Sequence, residues 1–229
     1  MGRLGVRSRT QGSSASELSL WAETAVEEAT SGPAWRFSSD SLWRSAQHIR
    51  RLHERDVKLG RAGVSRRHTR EVRLMEVIMR RYHRPPPAPV AHVYMMLAGL
   101  ALEGLAKGLI VARDPSRVTV SRSGGHVDLR WPGSGHLSAA LVDQAAFVLT
   151  PVERRLIERL GIFVRWAGRY PVPRAIVELA PHPGETEPRA SWSHGDFEAV
   201  SALRTRLRRA LDDAVLERIR LDRNSQRPA

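Results

Sequence analysis

The chain has 229 residues, 41% of them hydrophobic and 27% charged, which suits one domain with a sizeable core better than two. It contains no cysteine, so disulfides, thiolate catalysis and cysteine-ligated metals are excluded, and a reducing, cytoplasmic setting is expected. The net charge is +13, but only Lys58 and Lys107 among the 37 basic residues are lysine, so a GC-rich coding bias accounts for the arginines as well as a polyanion-binding surface does.

Residues 1–15 are polar and basic with no apolar run, which predicts a disordered tail and no secretory signal. Leu18, Trp21, Ala22, Ala25, Val26 and Ala29 recur at helical spacing and predict a first helix over 16–29, ended by Gly32-Pro33. Ser38-Ser39-Asp40 offers an N-cap for a second helix, with Leu42, Ala46, Ile49 and Leu52 on one face, broken at Gly60. Thr69 can cap a third, strongly basic helix through Leu74, Val77, Ile78 and Tyr82, followed by the stiff Pro85-Pro86-Pro87 spacer. Together these make a basic helical arm over 38–84. Residues 40–84 hold 13 Lys/Arg against 5 Asp/Glu, and Arg66, Arg67, Arg80 and Arg81 are its candidate phosphate contacts.

Val90 to Ala112 is long enough to span a membrane, yet it carries Glu103 and Lys107 and is rich in Ala and Gly. It reads as a central helix buried nearly all round, so no membrane partner is expected. The period then changes. Val118 and Val120, a Ser123-Gly124-Gly125 turn, and Val127, Leu129 and Trp131 predict a β-hairpin, closed by Pro132 to Gly135. A helix over 136–148 should bury Leu137, Ala140, Leu141, Ala145 and Val148. The next has the clearest start in the chain: Thr150 as N-cap, Pro151 at the first helical position and Glu153 completing a capping box. It should run to Gly168 with Val152, Leu156, Leu160, Phe163, Val164 and Ala167 inward. Residues 171–194 are proline-rich. A last amphipathic helix over 196–220 carries Phe197, Val200, Leu203, Leu207, Leu211, Ala214 and Val215, and 222–229 is a polar tail. The expected fold is all-α, a single domain over 16–221, with one small hairpin.

Few residues point to chemistry. Glu103 and Lys107 stand four apart, with Glu on the N-terminal side, the favourable order for an intrahelical pair. They read either as a structural pair bonding to neighbouring helices or as a polar element of a cleft. Arg165, Arg169 and Tyr170 close the helix that begins at Thr150 and form either a solvated basic end or a binding surface. Ile162 and Trp166 fall off that helix's apolar stripe, which suggests an interface or burial under the C-terminal segment. The histidines, His136 included, have no metal-ligand spacing, and neither a phosphate-binding glycine loop nor a nucleophile elbow is present, so no metal or cofactor is expected.

Three segments in order resemble the HEPN superfamily (higher eukaryotes and prokaryotes nucleotide-binding). Leu97-Ala98-Gly99-Leu100-Ala101-Leu102-Glu103-Gly104-Leu105-Ala106-Lys107-Gly108-Leu109 is similar to that family's LAGxALExxxKxLL helix. Gly135-His136-Leu137 with Leu141 resembles its GHxL segment, and Arg169-Tyr170-Pro171 its RYP ending. The resemblance covers 88–173 and implies an up-and-down four-helix bundle that dimerises, with RNA or an antitoxin as partner in toxin–antitoxin or defence systems. Its ribonuclease members use an arginine followed four to six residues later by histidine near the end of the last core helix, without metal. Here the fifth residue after Arg165 is Tyr170, and no histidine follows Arg169 in range; Arg189 to His194 and Arg130 to His136 have such spacing but fall in predicted loops. The expectation is therefore a dimeric HEPN-like protein that binds RNA or a protein partner without that site. The alternatives are a metal-independent endoribonuclease toxin with a variant site at Arg165, Arg169 and Tyr170, and a non-enzymatic interaction scaffold.

Overall fold

The computed structural model describes residues 23–67, 89–123, 126–131, 135–167, 191 and 195–225. Outside them lie the tails, Leu18, Trp21 and Ala22 of the predicted first helix, the predicted third helix with Arg80 and Arg81, the proline spacer, Arg169, Tyr170, most of 171–194 and His194. The side chains of Arg66, Arg67, Trp166 and Ala167 also fall outside, although their backbones are described.

The fold is all-α. Six helices are described: α1 (23–29), α2 (Gly32–Arg67), α3 (Pro89–Arg113), α4 (Ala139–Gln144), α5 (Pro151–Ile162) and α6 (Asp196–Ser225). After α3, a single turn over Pro115–Arg117 leads into two short antiparallel strands, β1 (Thr119–Ser123) and β2 (His126–Arg130), with Thr119 opposite Arg130 and Ser123 opposite His126. Asp114 caps that turn by accepting from the Ser116 N–H at 3.1 Å.

α3 is the axis of the core. Every residue from Ala101 to Ala112 is buried, and α2, α5 and α6 all pack on it. It is the one described helix long and apolar enough to cross a membrane, but most of its apolar stretch is enclosed by protein. Glycine sets how closely α2 approaches. A Cβ on Gly108 would sit 3.0 Å from the Trp35 Cβ and 3.1 Å from Leu211 Cδ2, and one on Gly104 would sit 3.4 Å from the Ser39 Cβ. At that crossing the buried Ser39 hydroxyl donates to the Ala101 carbonyl at 2.7 Å.

Several expectations about helix ends are corrected. Ser38-Ser39-Asp40 does not cap α2. The helix starts six residues earlier, with Ser31 Oγ accepting from the Ala34 N–H at 3.4 Å, and Pro33 lies in the first turn, where a missing N–H costs nothing. Ser39 and Asp40 are interior; Asp40 takes the guanidinium groups of Arg204 and Arg208 on α6. Gly60 does not break the helix either, because one glycine costs only about 1 kcal/mol and α2 is already docked on α3. The helix expected over 136–148 shrinks to Ala139–Gln144. Ser138 caps it, accepting from the Leu141 N–H at 3.2 Å, and Ala146 at φ 51° stops it, leaving Ala140 and Val148 exposed. α6 extends through Ser225, so Asp222 to Ser225 is helix and not tail.

α5 starts as predicted. Thr150 Oγ1 accepts from the Glu153 N–H at 3.2 Å and Glu153 Oε2 accepts from the Thr150 N–H at 2.8 Å. Val152 is exposed, since at the helix entry it precedes the first turn that meets the core, which begins at Leu156. Past Ile162 the backbone widens into a π-turn over Phe163–Ala167.

Candidate functional site

The elements converge on Glu103 and Lys107. Both are buried, 8% and 9% exposed, and Lys107 Nζ donates to Glu103 Oε1 at 2.7 Å. The carboxylate's other oxygen accepts the Leu137 backbone N–H at 2.9 Å. The ammonium lies 5.4 Å from the Trp35 ring centroid and 5.1 Å from that of Trp131, two indoles in edge contact with each other. A cation within about 6 Å of an indole face is attracted by its quadrupole, and more strongly where water is excluded. Each charge thus has two kinds of partner, which is what a buried pair needs to persist.

The pair ties three elements together: α2 through Trp35, the exit of the hairpin through Trp131, and the turn ahead of α4 through Leu137. Gly135 makes the return possible. Its φ of +66° is a left-handed conformation that favours glycine, and it folds the chain back over Trp131. Of the two readings of Glu103 and Lys107, the geometry gives the structural one its partners. Beside the pair, His136 is 60% exposed with Nδ1 at 4.0 Å from Glu103 Oε2.

Arg165 comes to the same place from the π-turn that follows α5. A Cβ on Gly161 would lie 2.5 Å from the Leu137 carbonyl oxygen and 3.3 Å from Arg165 Nη1, so that guanidinium sits beside the 136–137 turn. Arg165 is exposed. The structure therefore brings Glu103, Lys107, His136 and Arg165 into one neighbourhood. Arg66 and Arg67 belong to the far end of α2, and no position is described for the side chains of Arg80, Arg81, Arg169 and Tyr170.

Ile162 does not join this surface. It is 5% exposed and part of the main core, which corrects its expectation as an interface residue. The helical wheel assigned it to an open side, but the end of α5 has none. α3 meets it where Gly99 faces Val164, the 136–137 turn crosses Gly161, and α6 is bonded through Arg159 and Asp196 at 2.6 Å. Residues 160–164 are consequently buried in succession.

No known family, curated protein or solved structure matches this chain. The site must be read from its own chemistry. Trp35 was not singled out in the sequence and Trp131 only as a strand residue, because each becomes a partner of Lys107 only through the crossing of α2 and the closure of the hairpin. Among the described residues no group of three His, Asp or Glu side chains is gathered in a way that could hold a metal ion.

Proposed function

We propose that this chain is a cytoplasmic HEPN-like helical-bundle protein that forms a homodimer and binds RNA, in a toxin–antitoxin or defence setting, without an Arg-x4-6-His ribonuclease motif. The observation that carries the reading is the meeting of Glu103 with the 136–137 turn at 2.9 Å. It joins the two segments on which the family resemblance chiefly rests, and the exposed His136 and Arg165 both lie at that turn, where an arginine is suited to a phosphate. The test is binding of labelled RNA to the purified protein across a salt series. Affinity that falls steeply with salt, and that drops in Arg165→Gln, supports the reading. No binding at low salt would reject it in favour of a protein-interaction scaffold. Sedimentation of wild type and Trp166→Asp tests the dimer, the expected results being a dimer and a folded monomer.

One observation favours a second reading, the metal-independent endoribonuclease. The exposed His136 imidazole and the Arg165 guanidinium beside the same turn are the kinds of group that proton transfer and phosphate-charge stabilisation use, here drawn from separate elements instead of one helix. RNA cleavage in the presence of a chelator, abolished in both His136→Asn and Arg165→Gln, would establish it.

A further inference from the structure

Arg204 and Arg208 stand one turn apart on α6 and converge on a single carboxylate of α2, Asp40. Arg204 Nη2 donates to Asp40 Oδ1, and Arg208 Nη2 lies 3.4 Å from Asp40 Oδ2, so each oxygen goes to a different arginine. A guanidinium offers Nε–H and one Nη–H along one edge as a two-pronged fork, which a carboxylate fills when it serves one arginine alone. Shared between two, Asp40 fills half of each fork. Nε of Arg204 and Nε of Arg208 are both buried and have no acceptor among the described residues. Arg204 is 8% exposed and stacks 4.8 Å from the Trp43 ring centroid, so its face is covered and its edge alone is left to bond. Burial depresses the Arg204 pKa, and the charge of Arg208 adds to that while Asp40 opposes it. Asp212 faces Arg36 instead, with Oδ1 3.1 Å from Nε in an ion pair out of line for a hydrogen bond. The seam thus sets three guanidiniums against two carboxylates.

We propose that this seam between α2 and α6 is a binding site for a phosphate group, held by the Nε–H of Arg204 and the Nε–H of Arg208. Buried donors without acceptors are rare, and a bound ion is one of the few things that accounts for two of them side by side. A phosphate suits them because it carries several acceptor oxygens for two separate forks and supplies the negative charge that the seam lacks. Arg208 is the way in, since its side chain is 36% exposed while that of Arg204 lies beneath. The donors are held before the ion arrives: Trp43 fixes the plane of Arg204, and Ser39, bonded to α3 at 2.7 Å, fixes the turn of α2 that carries Asp40. The inference goes beyond the RNA-binding reading and does not depend on it, for free phosphate and the backbone of a strand offer the same group.

The experiment follows the arginine Nε–H signals of the isotope-labelled protein by NMR, assigned through the side-chain carbons, while inorganic phosphate is added. Sodium chloride at matched ionic strength is the control. The Arg204 and Arg208 signals should shift together and saturate with one dissociation constant, and chloride should move neither. Arg208→Lys keeps the charge and removes one of the two donors, so affinity should fall by about tenfold, the loss of one hydrogen bond to a charged group. Arg165→Gln should leave the titration unchanged, which separates this site from the 136–137 turn. A second titration with oligouridine tells the sources apart: saturation with phosphate alone marks a free ion, saturation with oligouridine alone marks a strand, and either supports the site. Signals that stay in place with both, or that drift as they do in chloride, would overturn it even if Arg208→Lys fails to fold. So would a folded Arg208→Lys protein that keeps the wild-type affinity.

Discussion

Replacing Lys107 by Met, with Glu103 kept, probes the centre of the molecule most directly. The thioether chain has a length and volume close to those of the lysine stem, so the slot between Trp35 and Trp131 stays filled and the loss is electrostatic. Glu103 Oε1 loses its 2.7 Å donor while Oε2 keeps the Leu137 N–H. A hydrogen bond to a charged group contributes about 1.5–3 kcal/mol, and a desolvated cation over indole faces about 1–2 more. Sulfur–aromatic contact returns about 0.3–1.5 kcal/mol. The net is about 3 kcal/mol, at the low end of what breaking a buried pair costs. With a urea m-value of about 2 kcal/mol/M, the unfolding midpoint should fall by about 1.5 M at unchanged m. Glu103→Gln/Lys107→Met should recover most of that loss, since a neutral amide still accepts from Leu137 and no buried charge is stranded. A single variant within about 0.3 M of wild type, or a double variant no better than the single one, would refute the account.

Other outcomes follow from particular contacts. Gly161→Ala places a methyl against the Leu137 carbonyl, a backbone atom that cannot turn aside, so stability should fall by about 1–3 kcal/mol and the NMR shifts of the 136–137 turn should move. Ile162→Ala should lower the unfolding free energy by about 2–5 kcal/mol without changing the sedimentation coefficient of the folded protein, as befits a core residue. Burial holds the His92 imidazole below its ordinary value of 6.5. Its contribution to stability is therefore whole above pH 6.5 and declines as the pH falls through 6.5 toward the folded-state value, where the unfolded chain takes up the proton first. His92→Leu should flatten the pH dependence of the melting temperature across that window.

What could be read from the sequence was whatever depended on near neighbours. The capping box at Thr150 and Glu153, the apolar run of α3 and the stripe of α6 from Phe197 to Ala214 all follow from spacing, and each stands where the spacing puts it. The Glu103–Lys107 pair was legible for the same reason, as an i,i+4 contact. Its remaining partners were not, because Trp35, Trp131 and Leu137 arrive from chain positions far removed. Ser39 shows the converse error. Serine before an apolar run looks like a cap, and only the proximity of α3 makes it an interior donor instead. Ile162 failed similarly, since a helical wheel presumes one open side and the end of α5 is covered from three.

The widened turn over Phe163–Ala167 behaves as an insertion absorbed inside a helix. A π-turn holds one residue more than an α-turn, so within it the backbone falls out of phase with the turns before by up to about 100°. Arg165 therefore sits within a phase change and takes a different bearing from the one a regular helix would give it. Deleting a single residue there would let the helix close regularly and swing Arg165 away from the 136–137 turn. The length of this segment, as much as its composition, sets which partners the end of α5 can meet.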